Sequence, residues 1–181
     1  MNLNASQMSF IGRCAVVAVC GIAFSTFLPV MSHAQSLEDV KQAMTSLKTK
    51  TSKLGTPSTK GEDTVAGKSV PALYFGTTKM NNNFAVVDEV KKERGGTATL
   101  FVKSGEDFVR VATNVQKDDG SRAIGTVLDP KGKAIAAIRT DKPYYGEADI
   151  LGKPYVTGYE PIRDASGSVI GVYYVGYPKA Q

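Results

Sequence analysis

The chain has 181 residues, of which 42% are hydrophobic, 22% charged and 8% aromatic, a composition that excludes a disordered or fibrous protein. Its 22 Lys and Arg against 17 Asp and Glu give a net charge of +5. The charge is spread without a basic cluster, so nucleic acid is not an expected partner.

Residues 1–34 read as a Sec-type signal peptide: Arg13, the apolar run Cys14–Val30, then the small residues Ser32 and Ala34 ahead of Gln35. The alternative is a retained anchor, because the run reaches the lower limit for spanning a bilayer. Pro29 and the Ser32/Ala34 pair favour cleavage. Lipidation of Cys20 is disfavoured by the bulky Val19 before it. Without the leader, 147 residues remain at a net charge of +4, since Arg13 is the only charged residue lost. Both cysteines and the only histidine leave with it, and there is no tryptophan. A disulfide framework, a Cys nucleophile, a His base and the usual zinc, haem or copper sites are thereby excluded, and no cofactor is expected. The core alone must hold the fold, which is feasible because a chain of this size buries roughly 70% of its unfolded surface.

Leu37, Val40, Met44, Leu47 and Leu54 recur at helical spacing and predict an amphipathic helix over 36–54, with Ser36 as cap and Gly55 as stop. The Gly, Thr, Ser and Lys of 55–68, with Pro57, read as a linker. A second helix is predicted at about 82–94: Asn81, Asn82 and Asn83 offer caps, Lys91, Lys92 and Arg94 suit its C-terminus, and Gly95-Gly96 ends it. The period then becomes two. Thr97–Val102 and Phe108–Thr113 form a hairpin around Ser104–Asp107, and 114–142 is a crossover carrying a short helix at Ala134–Ile138. Three more strands follow at 144–151, 154–162 and 168–177. The last is apolar on both faces, which suits the sheet centre. The fold class is therefore α+β: an antiparallel five-stranded sheet with its first and last strands adjacent in the middle, an N-terminal helix, and helices on one face, the PAS-like architecture.

Five segments carry a family resemblance: VPALYFG (70–76), NNNFAVVDEV (81–90), GGTATLFVKSGEDFVRVATNV (95–115), DGSRAIGT (119–126) and YGEADILGKPYVTGYEPIRDASGSVIGVYYVG (145–176). In this order and spacing they resemble the Cache 3/Cache 2 fusion type of extracellular sensor domain, the outer module of chemotaxis receptors and some diguanylate cyclases. The resemblance implies a periplasmic PAS-like domain that binds a small molecule and reports it through a helix. The expected organisation is a signal peptide at 1–34, a helix and linker at 35–69, and a single Cache domain at 70–181. No second membrane helix, HAMP-like segment or output region follows Gln181, so the expected output partner is a separate membrane-bound sensor protein.

Strand parity selects the candidate ligand residues. In 107–113, Phe108, Arg110 and Ala112 alternate with Val109, Val111 and Thr113. An arginine among apolar neighbours suits a carboxylate, because its guanidinium can make two parallel charge-assisted bonds; the alternative is a structural ion pair. Arg122, in the turn-rich DGSRAIGT segment, is either a second ligand contact or a loop anchor bonded to carbonyls. Seven of the eight tyrosines lie between 144 and 177. Tyr145 with Glu147 and Asp149, and Tyr155 with Thr157 and Tyr159, form rows that antiparallel pairing is expected to bring together, either as apolar walls with hydroxyl tips or as ordinary cross-strand packing. The expected ligand is a small carboxylate or amino acid bound by Arg110, Thr113, Arg122, Tyr145, Tyr155 and Tyr159. Acid/base work by Glu147 and Asp149 is set aside for want of a cleft signature, calcium at Asp118, Asp119 and Ser121 for want of further ligands, and anionic lipid or DNA binding by the lysine-rich helix because spread charge suits a solvated face. The competing reading is a protein-interaction module whose helix packs through Leu37, Met44, Leu47 and Leu54 on a membrane sensor or on its own copy, with the pocket filled by side chains. An enzyme ranks behind both.

Overall fold

The computed structural model describes residues 33–179, with side chains from Leu37 onward. The leader reading at 1–34 lies outside these residues, except that its last two positions open the first helix, α1 (His33–Ser52). Val40, Ala43, Met44 and Leu47 form the buried stripe of α1, all at 2% exposure or less. Buried Thr51 bonds back to the Leu47 carbonyl and meets the Tyr173 hydroxyl. Of the stripe expected to serve a partner helix, Met44 and Leu47 are thus taken up by the protein's own core and Leu37 and Leu54 pack against it, because α1 covers one face of the large sheet together with α2.

Residues 55–68 are not a linker. They form β1 (Pro57–Val65), which turns at Ala66-Gly67 into β2 (Lys68–Phe75), and β3 (Thr78–Lys79) completes a small antiparallel sheet. The turn places Ala66 and Gly67 at φ 50° and 78°, the left-handed pair that a two-residue hairpin requires. β1 is polar because it is an edge strand with mostly solvated sides, and only Val65 is fully buried. A bulge between Thr59 and Glu62 interrupts its ladder, as befits an exposed edge.

The three asparagines divide their work. Buried Asn81 accepts from Leu73 N–H and donates to the Pro71 carbonyl, clamping β2. Asn82, at φ 60°, donates to Thr64 of β1. Only Asn83 serves the next helix, α2 (Ala85–Arg94), by accepting from Ala85 N–H. The helix ends at Gly95, φ 70°, with its three cations in the last turn as expected.

The large sheet contains β4 (Thr97–Ser104), β5 (Asp107–Thr113), β6 (Tyr144–Ile150), β7 (Lys153–Arg163) and β8 (Val169–Pro178), in the spatial order β5-β4-β8-β7-β6. Its first and last strands, β4 and β8, are neighbours, and β8 is buried through most of its length. α1 and α2 pack on one face with Leu100, Val102, Val156, Tyr173 and Val175. The opposite face carries Phe101, Phe108, Tyr159, Val172 and Tyr174 under the short helix α3 (Lys133–Arg139) and the crossover. The crossover also lies along the outer edge of β5: Arg110 N–H donates to the Thr126 carbonyl, Gly125 N–H to the Arg110 carbonyl, and Leu128 N–H to the Phe108 carbonyl.

Two local features change the expected facing of side chains. In β5 the register skips a residue: Phe101 pairs with Arg110 but Leu100 pairs with Ala112, leaving Val111 as a bulge. Ala112 therefore joins the helix-covered core, whereas Thr113, opposite Thr99, moves to the face of Arg110. In the β6–β7 hairpin, the two-residue turn Leu151-Gly152 pairs Ile150 with Lys153 and hence Tyr144 with Tyr159, Gly146 with Thr157 and Ala148 with Tyr155. The row Tyr145, Glu147, Asp149 accordingly does not meet the row Tyr155, Thr157, Tyr159.

Candidate ligand-binding cleft

On the α3 face, a cleft of about 430 Å³ lies between β6, the tip of the crossover and the start of α3. Arg110 and Tyr159 are at its inner end, Tyr144 and Ala148 form one wall, and Val127, Leu128 and Ala134 the other. Its shape follows from local sequence. Gly146 leaves room for Tyr144 to fold back along β6 and donate its hydroxyl to the Glu147 carbonyl at 2.6 Å, since a Cβ at 146 would lie 2.9 Å from that hydroxyl. Tyr144, Tyr159 and Tyr174 then form a tilted stack, with ring centroids 6.2 Å and 5.0 Å apart.

Arg110 is 4% exposed. Its guanidinium lies over the Phe101 ring at 5.2 Å, and Nη1 donates to the Thr126 hydroxyl at 2.7 Å. Nε is fully enclosed and has no hydrogen-bond partner, and no carboxylate among the described residues forms an ion pair with this side chain. Burial pushes the guanidinium below its ordinary pKa, partly offset by Tyr174 and Tyr159. The same burial raises the Tyr159 and Tyr174 phenols well above the usual tyrosine range. The other enclosed side-chain atom without a hydrogen bond, Asp63 Oδ2, has the Lys79 ammonium 3.0 Å away, so its charge is met. In a more open groove between α1 and α2, Lys50 pairs with Glu89 and Glu93.

The structure brings only part of the expected set together. Arg110 and Tyr159 share the cleft; Tyr155 is on the same face, further along β7 and outside the lining. Thr113 is enclosed, its hydroxyl 2.6 Å from that of Thr99 and accepting from Val115 N–H. Arg122 reaches the other way. It makes a two-point ion pair with Asp88 of α2 at 2.8 and 2.9 Å, donates to the Thr113 carbonyl and stacks on Phe84 at 4.4 Å. Tyr145 faces α1, where its hydroxyl donates to Glu160, the carboxylate that also holds Lys48. Tyr144, Thr126 and the wall at 127–134 were not singled out by the sequence. The Leu151-Gly152 turn was the available signal for Tyr144, because a two-residue hairpin places even positions of β6 opposite odd positions of β7.

Among the described residues no helix is long and apolar enough to cross a membrane, and no group of three or more His, Cys, Asp or Glu could hold a metal ion. No curated protein matches the sequence. Among solved structures, a protein of Rhodococcus sp. RHA1 assigned as a transcriptional regulator is similar, with a TM-score of 0.38 and 16% identity over 52% of this chain. This chain covers 55% of that protein's length, and the likeness is too slight to bear on function. The Cache 3/Cache 2 fusion domain model matches residues 31–181, taking in α1, the β1–β2 hairpin and the whole of the large sheet. With its PAS-like order of strands, the chain therefore belongs to the Cache 3/Cache 2 fusion family of extracellular sensor domains.

Proposed function

We propose that this chain is a periplasmic sensor module that reversibly binds a small carboxylate, either an organic acid or an amino acid, without transforming it, and reports occupancy to a membrane-bound partner. The observation that carries this reading is Arg110: a residue only 4% exposed that lines the cleft, with no carboxylate among the described residues paired to its guanidinium. A buried cation without a counter-charge is destabilising, and such groups are retained chiefly where function uses them. A carboxylate entering the cleft supplies the missing charge, and the Tyr144 and Tyr159 rings flank it. Binding favours whichever arrangement of crossover and sheet closes around the ligand, and the population shifts by the difference in affinity between the two arrangements. The competing interaction module is less favoured, because of its stripe Met44 and Leu47 are buried within the domain and Leu37 and Leu54 are partly buried against its core.

The test is a thermal-shift screen of the purified protein against organic acids and amino acids, run in parallel on Arg110→Met. The expected result is stabilisation of the parent protein by at least one carboxylate, and loss of that response in the variant. Failure of every carboxylate, or an equal response in Arg110→Met, contradicts the reading.

A further inference from the structure

Two pairs of adjacent residues straddle the sheet behind the cleft. Tyr144 of β6 and Tyr159 of β7 pair in register and line the cleft, on the α3 face. Their neighbours in the chain, Tyr145 and Glu160, point through to the α1 face, because successive side chains of a strand alternate. There the Tyr145 hydroxyl donates to Glu160 Oε1 at 2.5 Å, and the Lys48 ammonium of α1 donates to Oε2 of the same carboxylate at 2.5 Å. Burial, and then the bond to Glu160, raise the Tyr145 phenol above the usual tyrosine range, so it remains the donor. The Glu160 side chain is 21% exposed, which leaves this bridge less screened than a pair at the open surface. Apolar contact reinforces it. A Cβ at Gly158 would lie 2.7 Å from the Tyr145 ring and 2.8 Å from Val40 Cγ1, so at this glycine the backbone of β7 reaches both Tyr145 and α1 with no side chain between.

The planar peptide between neighbours is rigid, so a displacement or twist at Tyr144 or Tyr159 is carried to Tyr145 or Glu160 on the other face. A second route toward α1 is longer. It runs from the crossover through Arg122 and Asp88 into α2, and from α2 to α1 through Lys50 with Glu89 and Glu93, whose side chains are 62% and 47% exposed. Exposed pairs of that kind hold two elements together weakly, at about 1 kcal/mol or less.

Resting on the reading of the cleft as the ligand site, we propose that the Tyr145–Glu160–Lys48 bridge is the link through which the occupied cleft acts on α1. The three are positioning residues: none of them lines the cleft, and they respond to it through Tyr144 and Tyr159. As the ring pair adjusts to a ligand, the bridge moves with it and Lys48 delivers the shift to the helix.

Hydrogen-exchange mass spectrometry of the purified protein provides the test. Acetate, propionate, succinate and L-alanine are the probes, and peptides from the cleft (residues 123–150) and from α1 (residues 37–52) are read separately. In the parent protein at least one probe is expected to change exchange in both segments. In Lys48→Met and in Tyr145→Phe, which keep the apolar part of each side chain, the cleft response is expected to persist. The α1 response is expected to fall about twofold or more, the lower end of what residues along a coupling network change. Lys50→Met, which cuts the route through α2, is expected to leave both responses intact. The bridge is overturned, and the cleft kept as ligand site, if the α1 response persists in Lys48→Met and Tyr145→Phe, is lost in Lys50→Met alone, or is missing in the parent while the cleft responds. A fall of both responses in equal proportion also overturns the bridge, because it marks a general loss of affinity. Absence of any probe response in the cleft overturns both.

Discussion

Arg110 separates stability from function at the scale of a single residue. Replacing it with methionine removes an enclosed, unpaired charge and keeps most of the volume against Phe101. The expected outcome in chemical denaturation is unchanged stability or a gain of about 1 kcal/mol, as when apolar groups replace buried charges, together with loss of the ligand response. Tyr159→Phe keeps the ring stack with Tyr144 and Tyr174, so its stability should match the parent protein while ligand affinity falls about threefold to tenfold by calorimetry. Arg122→Lys gives the opposite pattern. It disrupts the two-point pairing with Asp88 and the stack on Phe84, and should cost about 1 kcal/mol of stability with ligand affinity unchanged. Arg110 was legible in the sequence because an arginine alternating with apolar residues on a strand has few reasons to be there. Thr113 was not, because the bulge at Val111 shifts parity by one, and a bulge leaves no residue type that marks it.

The elements show the same division between local signals and long-range pairing. α1, α2 and the β4–β5 hairpin follow from periodicity and terminating glycines, which act within a few residues. β1 escaped because an edge strand solvated on most of its surface has no apolar alternation; Ala66-Gly67 was the only local sign of its hairpin. Its attachment depends on two glycines in contact across the α1 terminus, Gly55 and Gly76. A Cβ at Gly76, φ 59°, would overlap the Leu54 carbonyl, a backbone atom of the turn that leads out of α1, so the chain joining α1 to β1 would have to shift. Gly76→Ala should therefore destabilise by roughly 2–4 kcal/mol in urea denaturation. Gly67→Ala, at φ 78° in open space, carries only backbone strain and should cost about 1 kcal/mol. Equal losses at the two positions would contradict this account of the hairpin's attachment.

At the scale of the whole molecule, alkaline pH probes the stack that backs the cleft. Burial raises the folded-state pKa of Tyr159 and Tyr174 above the ordinary 10.0, so the folded protein retains these protons after the unfolded chain releases them. Their contribution to stability is full below pH 10.0 and is lost as the pH rises above it. Phenolate absorbance should accordingly rise in two stages, with the buried Tyr159 and Tyr174 contributing only on cooperative unfolding. A single early stage for all eight would contradict the packing. The overall strand order was legible because an apolar final strand has to be central. The cleft as an assembly was not, since its walls come from β5, β6, β7 and the crossover, and their meeting depends on registers that the sequence states only through turns.

The most direct measurement is the amide and guanidinium NMR spectrum of the protein, with the Arg110 guanidinium resonances assigned by their loss in Arg110→Met. Addition of a stabilising carboxylate should shift a resonance of that guanidinium strongly, as the ligand pairs with the part of the side chain that lines the cleft. A resonance unmoved at saturating ligand would place the carboxylate elsewhere and contradict the account.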